Sequence, residues 1–114
     1  MPNTLEEIYE RCQQRPQTKI TKHILASKLL EILEYFDERN SGLQQSNQAF
    51  ISEYDTIEMI MRNPRIITSS INNNIIAKCQ VITDKKGSVR EANMLIKSNP
   101  GIFRKTTRSI IEGK

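Results

Sequence analysis

Apolar residues recur along this chain in steps of three and four, the spacing that lines one face of an α-helix. The longest such stripe is Ile20, Ile24, Leu25, Leu29, Ile32, Leu33 and Phe36. With Lys22, Lys28, Glu31 and Glu34 turned away from it, the pattern predicts an amphipathic helix from Thr18 to Glu38. Arg39-Asn40-Ser41-Gly42 has turn chemistry and should end that helix. A heptad-like seam follows at Leu43, Phe50, Tyr54, Ile57 and Met61, predicting a second helix over 43–62. Its first turns, rich in Gln and Asn, are weak helix formers. The short connection between the two predicts an antiparallel hairpin, with Leu29 and Tyr54 on facing stripes.

The flanking segments read the same way. Thr4 and Glu7 have capping-box spacing ahead of a short face of Leu5, Ile8 and Tyr9, which Pro16 breaks. Asn63-Pro64 marks a new helix start, because Asn caps orphan N–H groups and Pro lacks one. A helix over 64–82 would place Ile67, Ile71, Ile75, Cys79 and Ile82 on one side. Residues 75–83 are rich enough in β-branched side chains for a strand, and Asn72-Asn73-Asn74 weakens the helix, so both readings stand at this point. Asp84-Lys85-Lys86-Gly87 is a turn, and Ser88 with Glu91 opens a helix over 89–98. Asn99-Pro100 repeats the cap-and-proline grammar before a last helix over 101–112, with Ile102, Phe103, Thr106 and Ile110 inward. The expected fold is all-α: one domain over 1–114, five to six helices built on the 18–38/43–62 hairpin, with a basic C-terminal helical part.

Composition adds a constraint. Only 37% of the 114 residues are hydrophobic and there is no Trp, so the core must rest on Ile and Leu with a few Phe and Tyr. A thin helical core raises the expectation of a homo-oligomer. No apolar run approaches the ~20 residues that span a bilayer. The opening residues carry Glu6, Glu7 and Glu10 rather than the apolar stretch of a leader. The compartment expected is therefore intracellular, cytoplasmic or associated with the nucleoid or nucleus, with Cys12 and Cys79 as free thiols.

Charge is the most informative compositional feature. Residues 1–62 carry seven Lys/Arg against ten Asp/Glu, whereas residues 63–114 carry ten against three, so a −3 half is joined to a +7 half. Between 85 and 108 lie Lys85, Lys86, Arg90, Lys97, Arg104, Lys105 and Arg108, with Glu91 as the lone acid. Long cationic side chains neutralise phosphates and release counterions, so these seven are the candidate nucleic-acid contacts. The two short helices at 89–98 and 101–112 suggest a helix-turn-helix, although Pro100-Gly101 sits where such motifs want a tight small-residue corner. The alternative partner is an acidic protein surface: Glu31, Glu34, Asp37 and Glu38 of one copy could face the basic half of another.

Enzyme chemistry finds little support. His23 is the lone histidine, with no nucleophile or orienting carboxylate nearby in the chain, and two isolated cysteines do not make a zinc spacing. Lys85-Lys86-Gly87-Ser88 lacks the glycine-rich stretch of a phosphate loop. A protein that is not an enzyme and carries no cofactor or metal is expected. Phe103 is the sole aromatic residue in the basic half, too few for a base-stacking platform built there.

One short stretch, Ile57 to Ile67 around Arg62-Asn63-Pro64-Arg65, resembles the helix end of the nodavirus silencing suppressors, where Lys-Pro-Arg or Lys-Pro-Ser precedes apolar residues. Those small helical dimers bind double-stranded RNA; the resemblance covers about a tenth of the chain and does not assign it to that family. The chain departs from that pattern in carrying Glu53, Asp55 and Glu58 where the family needs basic side chains. The overall expectation is a small nucleic-acid-binding protein acting through a basic C-terminal face; a helical adaptor or self-assembling protein, viral or bacterial, is the alternative.

Overall fold

The structure, a computed structural model, describes residues 4–112. It is all-helical, with no strand among the described residues, so 75–83 is helix. Among the described residues there are seven α-helices: α1 (Thr4–Gln13), α2 (Lys22–Arg39), α3 (Glu53–Arg62), α4 (Arg65–Thr68), α5 (Ala77–Lys86), α6 (Val89–Ser98) and α7 (Thr107–Glu112). Short 3-10 turns at Pro16–Thr18 and Pro100–Arg104 and a π turn at Asn72–Ile76 complete the path.

Four expected helices are shorter or more broken than their apolar spacing suggests. The expected 43–62 helix begins ten residues late, so that arm of the 18–38/43–62 hairpin is corrected to α3. Asn47 Oδ1 accepts from the Ala49 N–H at 2.8 Å, which favours turn over helix. Ser52 then opens α3 with a reciprocal capping box: its Oγ accepts from Asp55 N–H at 3.1 Å, and the Asp55 carboxylate accepts from Ser52 N–H at 3.0 Å. The first arm is also trimmed, because Thr21 is the N-cap of α2. The expected 64–82 helix breaks at Ser69, whose backbone is extended, and resumes through a π turn in which Ile76 N–H bonds Ile71 C=O at 3.0 Å. Gly87, at φ 85°, ends α5 in the left-handed conformation that glycine adopts freely. The expected 101–112 helix becomes a 3-10 turn, an extended Lys105, and a six-residue α7. Arg104 and Lys105 therefore precede the last helix, and the helix-turn-helix expectation loses its recognition helix.

One core runs through the chain. α2 packs on α1, α3 and α4, while α5 packs on α6 and α7. Ile8, Leu25, Ile32, Phe36, Ile60, Ile67, Ile75, Ile82 and Ile96 are almost wholly buried, as an Ile-based core requires. Fully burying one such side chain contributes about 1.5–3 kcal/mol. Tyr54 departs from the expected seam: it is 72% exposed, and Leu29 is half-buried. The face that α3 buries is Thr56, Met59 and Ile60, which lies roughly opposite the 54/57/61 seam and turns Tyr54 outward.

Both cysteines are buried free thiols. Burial pushes the Cys79 thiol up to about 12, against lowering by the Arg39 charge and a Tyr35 hydrogen bond. Burial likewise raises the Tyr35 phenol, followed by the Cys79 charge. Both groups are neutral when protonated, and their folded pKa lies above the unfolded one. The stability they contribute is complete below the unfolded pKa and is lost as pH rises through the folded pKa. Chemical denaturation should therefore show stability falling between about pH 9 and pH 12. Cys79→Ala should flatten that decline even though its cavity lowers the plateau; an unchanged slope would contradict the assignment.

Candidate functional site

A recess of about 890 Å³ lies where the end of α1, the end of α3, α4, the start of α5 and the 103–106 segment meet. Arg11, Arg15, Arg62, Arg65, Lys78, Arg104 and Lys105 line it, together with Gln14, Thr18, Asn63, Pro64, Asn74, Phe103 and Thr106. None of these is a carboxylate. Seven cations around one cleft would repel one another without anchors, and the structure supplies them.

Two guanidiniums are held by the C-terminal end of α3. The last carbonyls of a helix lack intrahelical partners and carry the negative end of its dipole. Arg11 Nε donates to the Met61 carbonyl at 3.0 Å, and Arg104 Nη2 donates to the Arg62 carbonyl at 3.1 Å. Arg11 Nη1 also donates to Gln14 Oε1 at 2.9 Å. Asn63-Pro64 ends α3 at this point, with the Asn63 N–H on the Met59 carbonyl, and α4 sets Arg65 beside the same cleft. Lys78 donates to the Phe103 carbonyl at 2.8 Å, tying α5 to the 3-10 turn. Burial lowers the Lys78 pKa first, and the Arg65 charge lowers it further. Among the described residues, the exposed side chains of Arg15, Arg65 and Lys105 have no protein partner. The cleft thus combines three backbone-anchored cations with three free ones, and Arg62 stands at its edge, 4.0 Å from Glu58.

The sequence-predicted cations are spread over several places. Arg104 and Lys105 line the cleft. Lys105 also borders a smaller recess of about 170 Å³ with Lys85 and Lys86, and Lys85 donates to the Ile110 carbonyl at 2.8 Å. Arg90 is exposed on α6. Lys97 lies 3.8 Å from Asp55, and Arg108 pairs with Glu112 at 2.9 Å one turn along α7. Sequence reasoning missed Arg11, Arg15, Arg62, Arg65 and Lys78. Three of these five belong to the net-acidic half, so a charge count by halves hid them. The signal available was Arg62-Asn63-Pro64-Arg65, two cations flanking a cap-and-proline break.

On the other side of the charge balance, Glu31, Glu34, Asp37 and Glu38 are all exposed on α2. His23 is exposed at the start of α2, and no group of three His, Cys, Asp or Glu side chains among the described residues converges as metal ligands would. No helix among the described residues is long and apolar enough to cross a membrane. The chain matches no protein-family model, no curated protein and no solved structure.

Proposed function

We propose that this chain is a non-enzymatic nucleic-acid-binding protein whose basic cleft engages backbone phosphates. The observation that carries this reading is the lining itself: seven Lys/Arg and no carboxylate around one recess. Anchored guanidiniums offer fixed, directional donors to phosphate oxygens, and the free side chains of Arg15, Arg65 and Lys105 adapt to the strand. Arg104 and Lys105 join the C-terminal basic set to the cleft, so Lys85, Lys86 and Arg90 would extend the field rather than form the primary contacts.

The test is a binding titration over a salt series with single-stranded RNA, duplex RNA and duplex DNA. Changing Arg15, Arg65 and Lys105 together to Ala should leave the fold intact, because all three side chains are exposed. It should flatten the log–log salt slope by about 0.7 per lost phosphate contact on single strands and about 0.9 on B-DNA. A Lys86→Ala, Arg90→Ala control should change the slope less. Absence of salt-sensitive binding by the wild type to all three nucleic acids would end this reading.

The four exposed carboxylates of α2 favour a second reading, in which the cleft of one copy takes the acidic helix of the next. Light scattering over the same salt series separates the two. Salt-sensitive self-association without nucleic-acid binding would select assembly.

A further inference from the structure

We propose that Tyr54 is a base-stacking platform beside the phosphate cleft, so that the ligand is single-stranded nucleic acid; this rests on the nucleic-acid reading above. Tyr54 is 72% exposed on α3, although Met59 and Ile60 of the same helix are buried. It lies in a recess of about 310 Å³ that shares Arg62 with the basic cleft. From Tyr54 to Arg62 is eight residues of helix, a rise of about 12 Å along the axis. A strand whose phosphates sit at Arg62 and Arg104 can therefore lay a base against this ring.

The charges around the ring favour a base over a phosphate. Asp55 and Glu58 balance Lys97 and Arg62 in the lining of the Tyr54 recess, so its formal charges cancel and it attracts a phosphate far less than the seven-cation cleft does. The cleft on the other side of Arg62 has no acid in its lining. Backbone and base would thus sort to opposite sides of one arginine. Phe103 cannot serve instead, because it is only 2% exposed and packs in the core. In a duplex, the base faces are occupied by their own neighbours. An isolated ring therefore selects unpaired strands, whose bases splay out and stack on aromatics.

The experiment titrates wild type, Tyr54→Ala and Tyr54→Phe with a labelled single-stranded oligoadenylate, an abasic strand of equal length, and duplex RNA. Loss of one stacked base should weaken Tyr54→Ala on oligoadenylate roughly 5- to 150-fold. Tyr54→Phe should bind as wild type does, because the ring and not the hydroxyl is required. The abasic strand should bind all three proteins equally, and the salt slope should not change, since no phosphate contact is removed. Wild-type affinity of Tyr54→Ala for oligoadenylate, an equal loss on the abasic strand, or wild-type preference for duplex RNA over the single strand would each overturn the proposal. No salt-sensitive binding by the wild type to any probe would instead remove the underlying nucleic-acid reading, and this proposal with it.

Discussion

Replacing Asn40 by Ala should destabilise the protein by about 2–6 kcal/mol, because it leaves two buried backbone groups without partners at about 1–3 kcal/mol each. Asn40 is 5% exposed at the end of α2, and its amide closes a ring with the backbone of Ile51. Nδ2 donates to the Ile51 carbonyl at 2.6 Å, and Oδ1 accepts from the Ile51 N–H at 2.8 Å. Ile51 is itself 2% exposed, so water cannot readily replace either bond. The clamp fastens the irregular 41–52 segment to α2 and sets where α3 begins. Asn40→Asp keeps the acceptor but turns a carboxylate oxygen toward the Ile51 carbonyl, and should be destabilised as well. Urea denaturation of the three proteins checks this. A loss under about 1 kcal/mol for Asn40→Ala would mean that the clamp does not hold the loop.

The neighbouring residue should give the second large effect. Arg39→Met should cost about 3 kcal/mol, since hydrogen bonds to a charged group are worth about 1.5–3 kcal/mol net, and the desolvation of the guanidinium offsets part of their sum. Arg39 Nε donates to Asn93 Oδ1 at 3.1 Å and Nη2 to Thr83 Oγ1 at 2.9 Å, while Nη1 reaches the Tyr35 hydroxyl at 3.4 Å. One side chain thereby joins α2 to α5 and α6. Asn93 is fully buried, and its Nδ2 already lacks a partner, so losing the Oδ1 bond would leave the whole amide unsatisfied. Arg39→Lys should not restore stability, because an ammonium does not span three acceptors as the planar fork does. A double-mutant cycle with Asn93→Ala should show a coupling of about 0.5–3 kcal/mol. Strict additivity would remove Arg39 from the account.

These two residues also show where the sequence was legible. The 3.6-residue period indicated an all-helical chain and part of the α2 stripe: Leu25, Ile32 and Phe36 are buried, whereas Ile24 is exposed. Capping grammar located the start of α6 through Ser88 and Glu91, whereas the Ser52–Asp55 box that opens α3 went unread behind the apolar seam over 43–62. Arg39-Asn40 was legible as a turn but not as a clamp and a brace, because their partners Ile51, Thr83 and Asn93 lie 11, 44 and 54 residues away. Seam positions Leu43 and Phe50 misled for the converse reason: apolar spacing cannot reveal that side-chain bonds hold the segment as a loop. The cleft was hidden similarly. Arg104 and Lys105 stood out in the basic half, whereas Arg11, Arg15 and Arg62 became part of the same surface only when α1 packed on α3.

The most direct test of the central claim is amide chemical-shift mapping of the isotope-labelled protein as single-stranded RNA is added at low salt. The largest shifts should gather at 11–18, 62–65, 74–78 and 103–106, with Tyr54 among them, and added salt should reverse them. Shifts confined to Lys86, Arg90 and Arg108, or no shifts at all, would contradict that claim.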